Sequence, residues 1–268
     1  MNESSPTGDT QPPSFPRPEA PLSPTPPPTG QYVQVRYTGQ KPVVVYAILG
    51  ITILVYLLQI GSQYLTGVDL PGEWGVKSNT AILQGQLWRL FTPMLLHGSI
   101  LHIGFNMYAL YSIGMALESH FGRKRFLALY IIAGFAGNVL SFILTTEDSL
   151  GASTAIFGLL GAYGIFLYQN RSLFGNTARR ALTNIITIAV VNLLIGLSPG
   201  IDNWGHVGGL IGGTLFAWLG GPLLQLQPGY PYYNLVDKRE PGEVWRAGLT
   251  AGGVFVVVAA VVIFLRLR

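Results

Sequence analysis

Residues 42–60 read PVVVYAILGITILVYLLQI, a run without a single charged side chain. An α-helix rises about 1.5 Å per residue, so about 20 apolar residues cross the hydrocarbon core of a bilayer. Further apolar runs follow along the chain, at about 98–117, 126–145, 152–169, 182–198, 205–221 and 248–265. We therefore predict an all-α polytopic membrane protein. The runs predict seven crossings, the last of them in a C-terminal segment over 248–268.

The composition supports this fold class and excludes several kinds of site. Of the 268 residues, 49% are hydrophobic and 10% are charged, whereas soluble domains have about 25% charged residues. The chain contains no cysteine, which excludes a disulfide framework, a thiolate metal site and a cysteine nucleophile.

Lysine and arginine are unevenly distributed between the two sides of the membrane that seven crossings define. Cytoplasmic segments of membrane proteins carry the excess of these residues. With a cytoplasmic amino terminus, twelve of the sixteen basic residues lie on that side, and the outer side keeps Lys77, Arg89, Arg266 and Arg268. We expect a multi-pass protein of the cell membrane with its amino terminus in the cytoplasm and its carboxyl terminus outside. The net charge of +4 then requires no nucleic-acid partner.

Three segments lie outside the predicted membrane helices. Residues 1–40 form a cytoplasmic tail in which ten of the eighteen prolines precede residue 31, a composition typical of disorder. For this tail a solvated state is favoured over docking on an SH3-like partner. Residues 61–97 form an outer loop rich in tryptophan and leucine, for which we predict short helices in the membrane interface. Residues 222–247 form a cytoplasmic linker.

Four polar residues fall near the outer ends of three predicted membrane helices. His102 and Asn106 are four residues apart and therefore share one face of the second helix. Ser153 begins the fourth helix and His206 begins the sixth. Taken singly, Ser153 is typical of a helix N-cap, and a membrane histidine is often an interhelical hydrogen-bond partner. Because three helices bring these groups to one depth, we interpret them as one site.

The residue types in this set fit nucleophilic catalysis. A serine hydroxyl needs a base within hydrogen-bond distance, and His206 can supply one. The side chains of His102 and Asn106 can donate hydrogen bonds to an oxyanion, and Phe157 can pack against the imidazole of His206. Asp202 fits an N-cap better than a third catalytic residue, which favours a Ser–His dyad.

A metal site is the competing chemistry for the histidines. His97 and His102 are five residues apart, about 140° around a helix, so their side chains diverge. No His-Glu-x-x-His motif is present. We predict no metal and no cofactor.

The ordered series of motifs resembles the rhomboid family of intramembrane serine proteases over about residues 42–221. The series comprises Trp88-Arg89, His97, His102, Asn106, Glu118, Gly122, Gly151-x-Ser153-x-x-x-Phe157-Gly158 and Gly205-His206. The resemblance implies a six-helix rhomboid-like core over 41–221, with the membrane helix over 248–268 as an extra C-terminal helix. The resemblance implies cleavage of single-pass transmembrane proteins within or near their membrane segment. Ser153 is then the nucleophile, His206 the base, and His102 and Asn106 the oxyanion donors.

The resemblance also implies supporting roles for Gly151, Phe157, Trp88 and Arg89. It implies an outer loop lying sideways in the membrane and a substrate that enters between the second and fifth membrane helices. Gly205 stands where the family commonly has alanine, a change between small residues.

Two other functions are also compatible with the sequence. Some relatives of this fold lack the nucleophile and act as binding or quality-control proteins, and the presence of Ser153 and His206 argues against that reading. A transporter or channel using the polar cluster as a binding site is the second alternative, although internal repeats are not apparent in the sequence.

Overall fold

The computed structural model of this chain describes residues 35–36, 39–229 and 232–268. Most of the predicted disordered tail, residues 1–34, therefore lies outside the described residues. The described part holds nine α-helices: α1 Val44–Thr66, α2 Leu70–Gly75, α3 Asn79–Leu83, α4 Ile100–Phe121, α5 Arg123–Leu144, α6 Ser153–Gln169, α7 Arg171–Ile195, α8 Asn203–Gly220 and α9 Pro241–Arg266.

Each of the seven predicted membrane runs overlaps most of its length with one of the long helices α1 and α4 to α9, although the bounds differ. The helix α7 begins at Arg171 rather than near residue 182, with a break in the helical backbone at Gly175 (φ 53°, ψ −131°), and α9 begins at Pro241 rather than near residue 248. Apolar runs mark the part of a helix that meets lipid, whereas helix starts are set by caps. At α9 the cap is a capping box between Glu240 and Glu243.

Five of these helices are long and apolar enough to cross a membrane by length and composition: α1, α4, α5, α7 and α9. The apolar helix α6 is shorter, with 17 residues, and α8 is not among the five. The amino-terminal turn of α8 is polar and the helix contains six glycines, which lowers its mean hydropathy. Among the described residues, five helices are thus long and apolar enough to span a membrane, fewer than the seven crossings that the sequence predicts.

The packing centre of the molecule explains why α6 and α8 need less lipid-facing surface. The helix α6 packs most extensively on α8, and α5 packs on both. A Cβ added to Gly209 would collide with the backbone carbonyl of Thr154, and one added to Gly213 would collide with that of Gly158. These glycines let the backbones of α6 and α8 touch, as small residues do in membrane bundles.

A buried carboxylate joins the start of α1 to the end of α4. Glu118 is fully buried and accepts hydrogen bonds from the backbone N–H groups of Val43, Val44 and Val45 at 2.7, 2.8 and 2.8 Å. These donors have no partner within a helix, and the negative charge complements the positive end of the helix dipole. Gly122 then turns the chain into α5 with φ of 76°.

The outer loop contains α2, α3 and two 3-10 helices, Leu87–Leu90 and Thr92–Leu95. The sequence predicts short helices here, and the structure shows them. Because α1 continues to Thr66, the loop begins after that residue rather than at residue 61.

A small sheet is a feature that the sequence analysis missed. Strand β2, Leu224–Gln227, runs antiparallel to β3, Tyr233–Asp237, and β1, Val35–Arg36, runs parallel to β3. The predicted tail and linker thus contain strands, and residues 241–247 of the linker belong to α9. Strands of two to five residues are too short for their alternation to show in the sequence.

Candidate active site

The close contact of α6 and α8 brings Ser153 and His206 together. Ser153 is the first residue of α6 and His206 lies in the first turn of α8. The Oγ atom of Ser153 and the Nε2 atom of His206 are 2.9 Å apart, which is hydrogen-bond distance. A hydroxyl and an imidazole that are 53 positions apart in sequence thus form one pair.

The imidazole of His206 is held in a defined orientation. Its ring stacks on that of Phe157, with 4.2 Å between ring centroids and 10° between planes. Among the described residues, its Nδ1 atom has no hydrogen-bond partner. The Oδ1 atom of Asp202 accepts from the N–H of Gly205 at 2.8 Å, so Asp202 is the N-cap of α8. The geometry is that of a Ser–His pair with no carboxylate on the imidazole.

The ring of His102 lies close to Gly151, two residues before the serine. Gly151 has φ of 134°, a region that favours glycine. A Cβ added there would lie 2.8 Å from His102 Nε2 and 3.6 Å from Ser153 Oγ. Gly151 therefore leaves space where the serine hydroxyl and the ring of His102 face each other.

Asn106 is buried one helical turn below His102. Its Nδ2 donates a hydrogen bond to the backbone carbonyl of His102 at 2.9 Å. One N–H of this amide is therefore used by its own helix, and the second N–H is the one that can donate to an oxyanion.

His97 has a structural role that the sequence did not suggest. Its backbone N–H donates to Gln59 Oε1 at 3.0 Å, and its Nε2 accepts from the N–H of Ala152 at 3.4 Å. Its ring meets that of His102 edge-on, with centroids 5.0 Å apart. Burial, followed by the neighbouring His102, lowers the pKa of His97 from 6.5 to about 4. A neutral His97 thus supports the residue before the serine, through a contact that no local motif reveals.

Trp88 and Arg89 organise the outer loop. The guanidinium of Arg89 donates to the carbonyls of Val76 and Glu73 at 2.9 and 2.6 Å. The indole N–H of Trp88 donates to the carbonyl of Trp74 at 3.0 Å. Every hydrogen bond of these two side chains stays within the loop, and neither side chain bonds to Ser153 or His206. Across the described ranges, no three His, Asp or Glu residues are grouped so that they could hold a metal ion.

These features define a class: a polytopic α-helical membrane protein with a serine–histidine pair at one end of its central helices. The Rhomboid domain family matches residues 84–223. This range includes Ser153 and His206 and also His102, Asn106 and Phe157. The chain belongs to the rhomboid family.

Curated relatives agree with this assignment. The chain is 40% identical over 215 residues to Rhomboid protease GluP of Bacillus subtilis (strain 168), covering 74% of this chain and 42% of that protein. It is 38% identical over 180 residues to RHOMBOID-like protein 5 of Arabidopsis thaliana, covering 65% of this chain and 57% of that protein. With RHOMBOID-like protein 1 of the same plant, identity is 41% over 150 residues, or 56% and 37% of the two chains. The chain thus spans about half the length of the curated relatives that it matches.

Proposed function

We propose that this protein is an intramembrane serine endopeptidase that cleaves single-pass transmembrane proteins within or near their membrane segment. The observation that carries the proposal is the 2.9 Å contact between Ser153 Oγ and His206 Nε2. A serine becomes a nucleophile when a positioned base can take its proton.

In the proposed mechanism, Ser153 Oγ attacks the carbonyl carbon of the scissile peptide bond while its proton passes to His206 Nε2. The stacked ring of Phe157 keeps that nitrogen directed at the serine. The oxyanion of the tetrahedral intermediate receives hydrogen bonds from His102, from the second N–H of the Asn106 amide, and from N–H groups at the start of α6.

Collapse of the intermediate then breaks the C–N bond, and His206 returns the proton to the departing amine. The carbonyl stays attached to Ser153 as an ester. In the second half of the reaction, His206 takes a proton from water, the hydroxide attacks the ester, and Ser153 leaves with its proton restored.

The substrate is proposed to enter between α4 and α7, the second and fifth membrane helices of the sequence analysis. Two features of α7 support this route. It packs mainly on α6 and only slightly on α8, and six of its large apolar side chains are exposed: Ile186, Ile188, Val190, Val191, Leu194 and Ile195. A substrate helix must unwind to present its peptide bond, so glycine and other helix-destabilising residues near the cut are expected. We also propose a cytoplasmic amino terminus, an outer carboxyl terminus and an active site near the outer face of the cell membrane.

The test of this function uses the full chain in detergent or in vesicles, with a test substrate that has one transmembrane segment. We expect Ser153→Ala and His206→Ala each to abolish cleavage while the melting temperature stays near that of the wild type. A fluorophosphonate probe should label the wild type at Ser153 and should not label Ser153→Ala. Ser172→Ala, at an exposed position early in α7, serves as the matched control and should cleave normally.

Undiminished cleavage in either variant would disprove the dyad. A folded wild type that binds transmembrane proteins but neither cleaves them nor reacts with the probe would instead indicate a catalytically idle, rhomboid-like binding or quality-control protein.

A further inference from the structure

Lys77 is a cation that is completely buried in the outer loop. Its ammonium donates to the backbone carbonyl of Glu147 at 2.5 Å and to Asn79 Oδ1 at 3.2 Å. A buried charge is costly unless it is paired and hydrogen-bonded. A connecting loop can fold without a buried charge, so the hydrogen bonds of Lys77 indicate a role beyond connecting two helices.

Apart from its bond to Asn79, Lys77 forms its hydrogen bonds with residues 145–152, the serine segment, which leads directly into Ser153. The backbone N–H of Lys77 donates to the carbonyl of Ser149 at 2.9 Å, and the N–H of Ser149 donates back at 3.1 Å. Asn79, which bonds to the ammonium, also donates to the carbonyl of Thr145 at 2.7 Å. Lys77 and its neighbour thus hold the serine segment at three successive places.

Four charged groups act on the Lys77 ammonium: Asp148 and Glu147 of the serine segment, the cation Arg266, and Asp202, which lies four residues before His206. Burial lowers the pKa of the Lys77 ammonium, and the carboxylate of Asp202 is the strongest neighbouring charge opposing this shift. Asp202 caps α8 with Oδ1, while its buried Oδ2 has no hydrogen-bond partner among the residues that the structure describes. An ammonium has three donors, and two of those on Lys77 are used.

A cavity of about 460 Å³ lies between the serine segment and the segment that precedes His206. Thr145 of the serine segment lines one side, and residues 196–204, the base segment, line the other. The backbone contacts of α6 with α8 begin at Thr154, so the attraction between Lys77 and Asp202 acts on the stretches of chain that precede those contacts.

We propose that Lys77 is a positioning residue that keeps Ser153 within hydrogen-bond distance of His206. It does so through bonds to the serine segment and through its charge attraction to Asp202 of the base segment. This inference rests on the proposed serine-protease function, since its consequence is seen in the reactivity of Ser153.

The main variant is Lys77→Met, which keeps most of the side-chain length and removes the charge. Lys124→Met is the matched control. Lys124 is exposed in the first turn of α5, whereas the serine segment begins after the last turn of that helix. We expect Lys77→Met to lower kcat and the rate of fluorophosphonate labelling at Ser153 by about 10-fold to 10²-fold, because small misplacements of reacting groups have effects of that size. KM should stay within about twofold, since substrate contacts are unchanged. Lys124→Met should behave as the wild type.

The link to Asp202 is tested with Asp202→Asn, which keeps an N-cap acceptor and removes only the charge. We expect a smaller loss of labelling rate than for Lys77→Met. The double variant should lose less than the product of the two single losses, since both changes remove one interaction.

The outcomes separate this inference from the proposed function. Cleavage that persists in Ser153→Ala overturns the function itself. A Ser153-dependent wild type with Lys77→Met equal to Lys124→Met overturns only the positioning role, as does a loss that merely follows the unfolded fraction in a melting curve. If Lys77→Met does not fold, Asp202→Asn decides alone: a labelling rate equal to that of the wild type overturns the inference.

Discussion

At the scale of single residues, Asn106 and Asn192 make the same bond in different surroundings. Each side-chain amide donates to the carbonyl four residues earlier in its own helix, at 2.9 Å for Asn106 and 2.8 Å for Asn192. Asn106 is buried one turn below His102, whereas Asn192 is exposed on α7. Comparing variants of these two asparagines therefore distinguishes a contribution to catalysis from a contribution to the helix.

We expect Asn106→Ala to lower turnover of a transmembrane substrate by about 10-fold to 10³-fold, since one oxyanion donor is lost while the nucleophile and base remain. Asn192→Ala should leave turnover unchanged. Steady-state kinetics on both variants is the measurement. Equal turnover in the two would assign Asn106 to packing alone.

At the scale of elements, the site depends on how closely α6 and α8 approach. Gly209 lies on α8 three residues after His206, where an added Cβ meets the carbonyl of Thr154, the residue after the serine. Gly253 on α9 has nothing within 4 Å of the equivalent atom. The two glycines therefore differ in packing and not in backbone conformation, since neither has a positive φ.

We expect Gly209→Ala to push α8 away from α6, to lower the free energy of unfolding by about 1–3 kcal/mol and to reduce cleavage. Gly253→Ala should stabilise the protein by up to about 1 kcal/mol, because alanine favours a helix and meets no neighbour. Thermal melting in detergent compares the two variants. An unchanged melting temperature in Gly209→Ala would contradict the close contact.

At the scale of the whole molecule, His97 links parts of the chain that are far apart in sequence. It contacts Gln59 near the end of α1, Ala152 before α6 and His102 in α4. It is almost completely buried, and its pKa of about 4 lies below the ordinary 6.5. Protonation of Nε2 would remove the acceptor for the N–H of Ala152, so the folded state favours the neutral ring.

The lowered pKa of His97 makes the free energy of unfolding depend on pH. Between pH 6.5 and 4 the unfolded chain binds a proton at His97 that the folded chain does not, so stability falls as the pH drops through this range. The shift corresponds to about 3 kcal/mol. We expect the unfolding free energy of His97→Gln, which keeps an acceptor, to depend less on pH over that range. Parallel pH profiles for wild type and variant would contradict this.

The sequence alone was sufficient for the fold class and for the members of the pair. Apolar runs predicted where the long helices lie, because lipid requires continuous apolar surface and leaves a clear pattern. Ser153 and His206 stood out for the converse reason, since polar groups at membrane depth are costly.

Only the tertiary structure decided what depends on contacts between distant residues. The 2.9 Å separation of Ser153 and His206 results from backbones that touch at Gly209 and Gly213. The anchoring of the serine segment by Lys77, and of Ala152 by His97, crosses 70 and 55 positions of sequence. Such bonds leave no periodic signal, because a buried polar group needs one partner in space and that partner can come from anywhere in the chain.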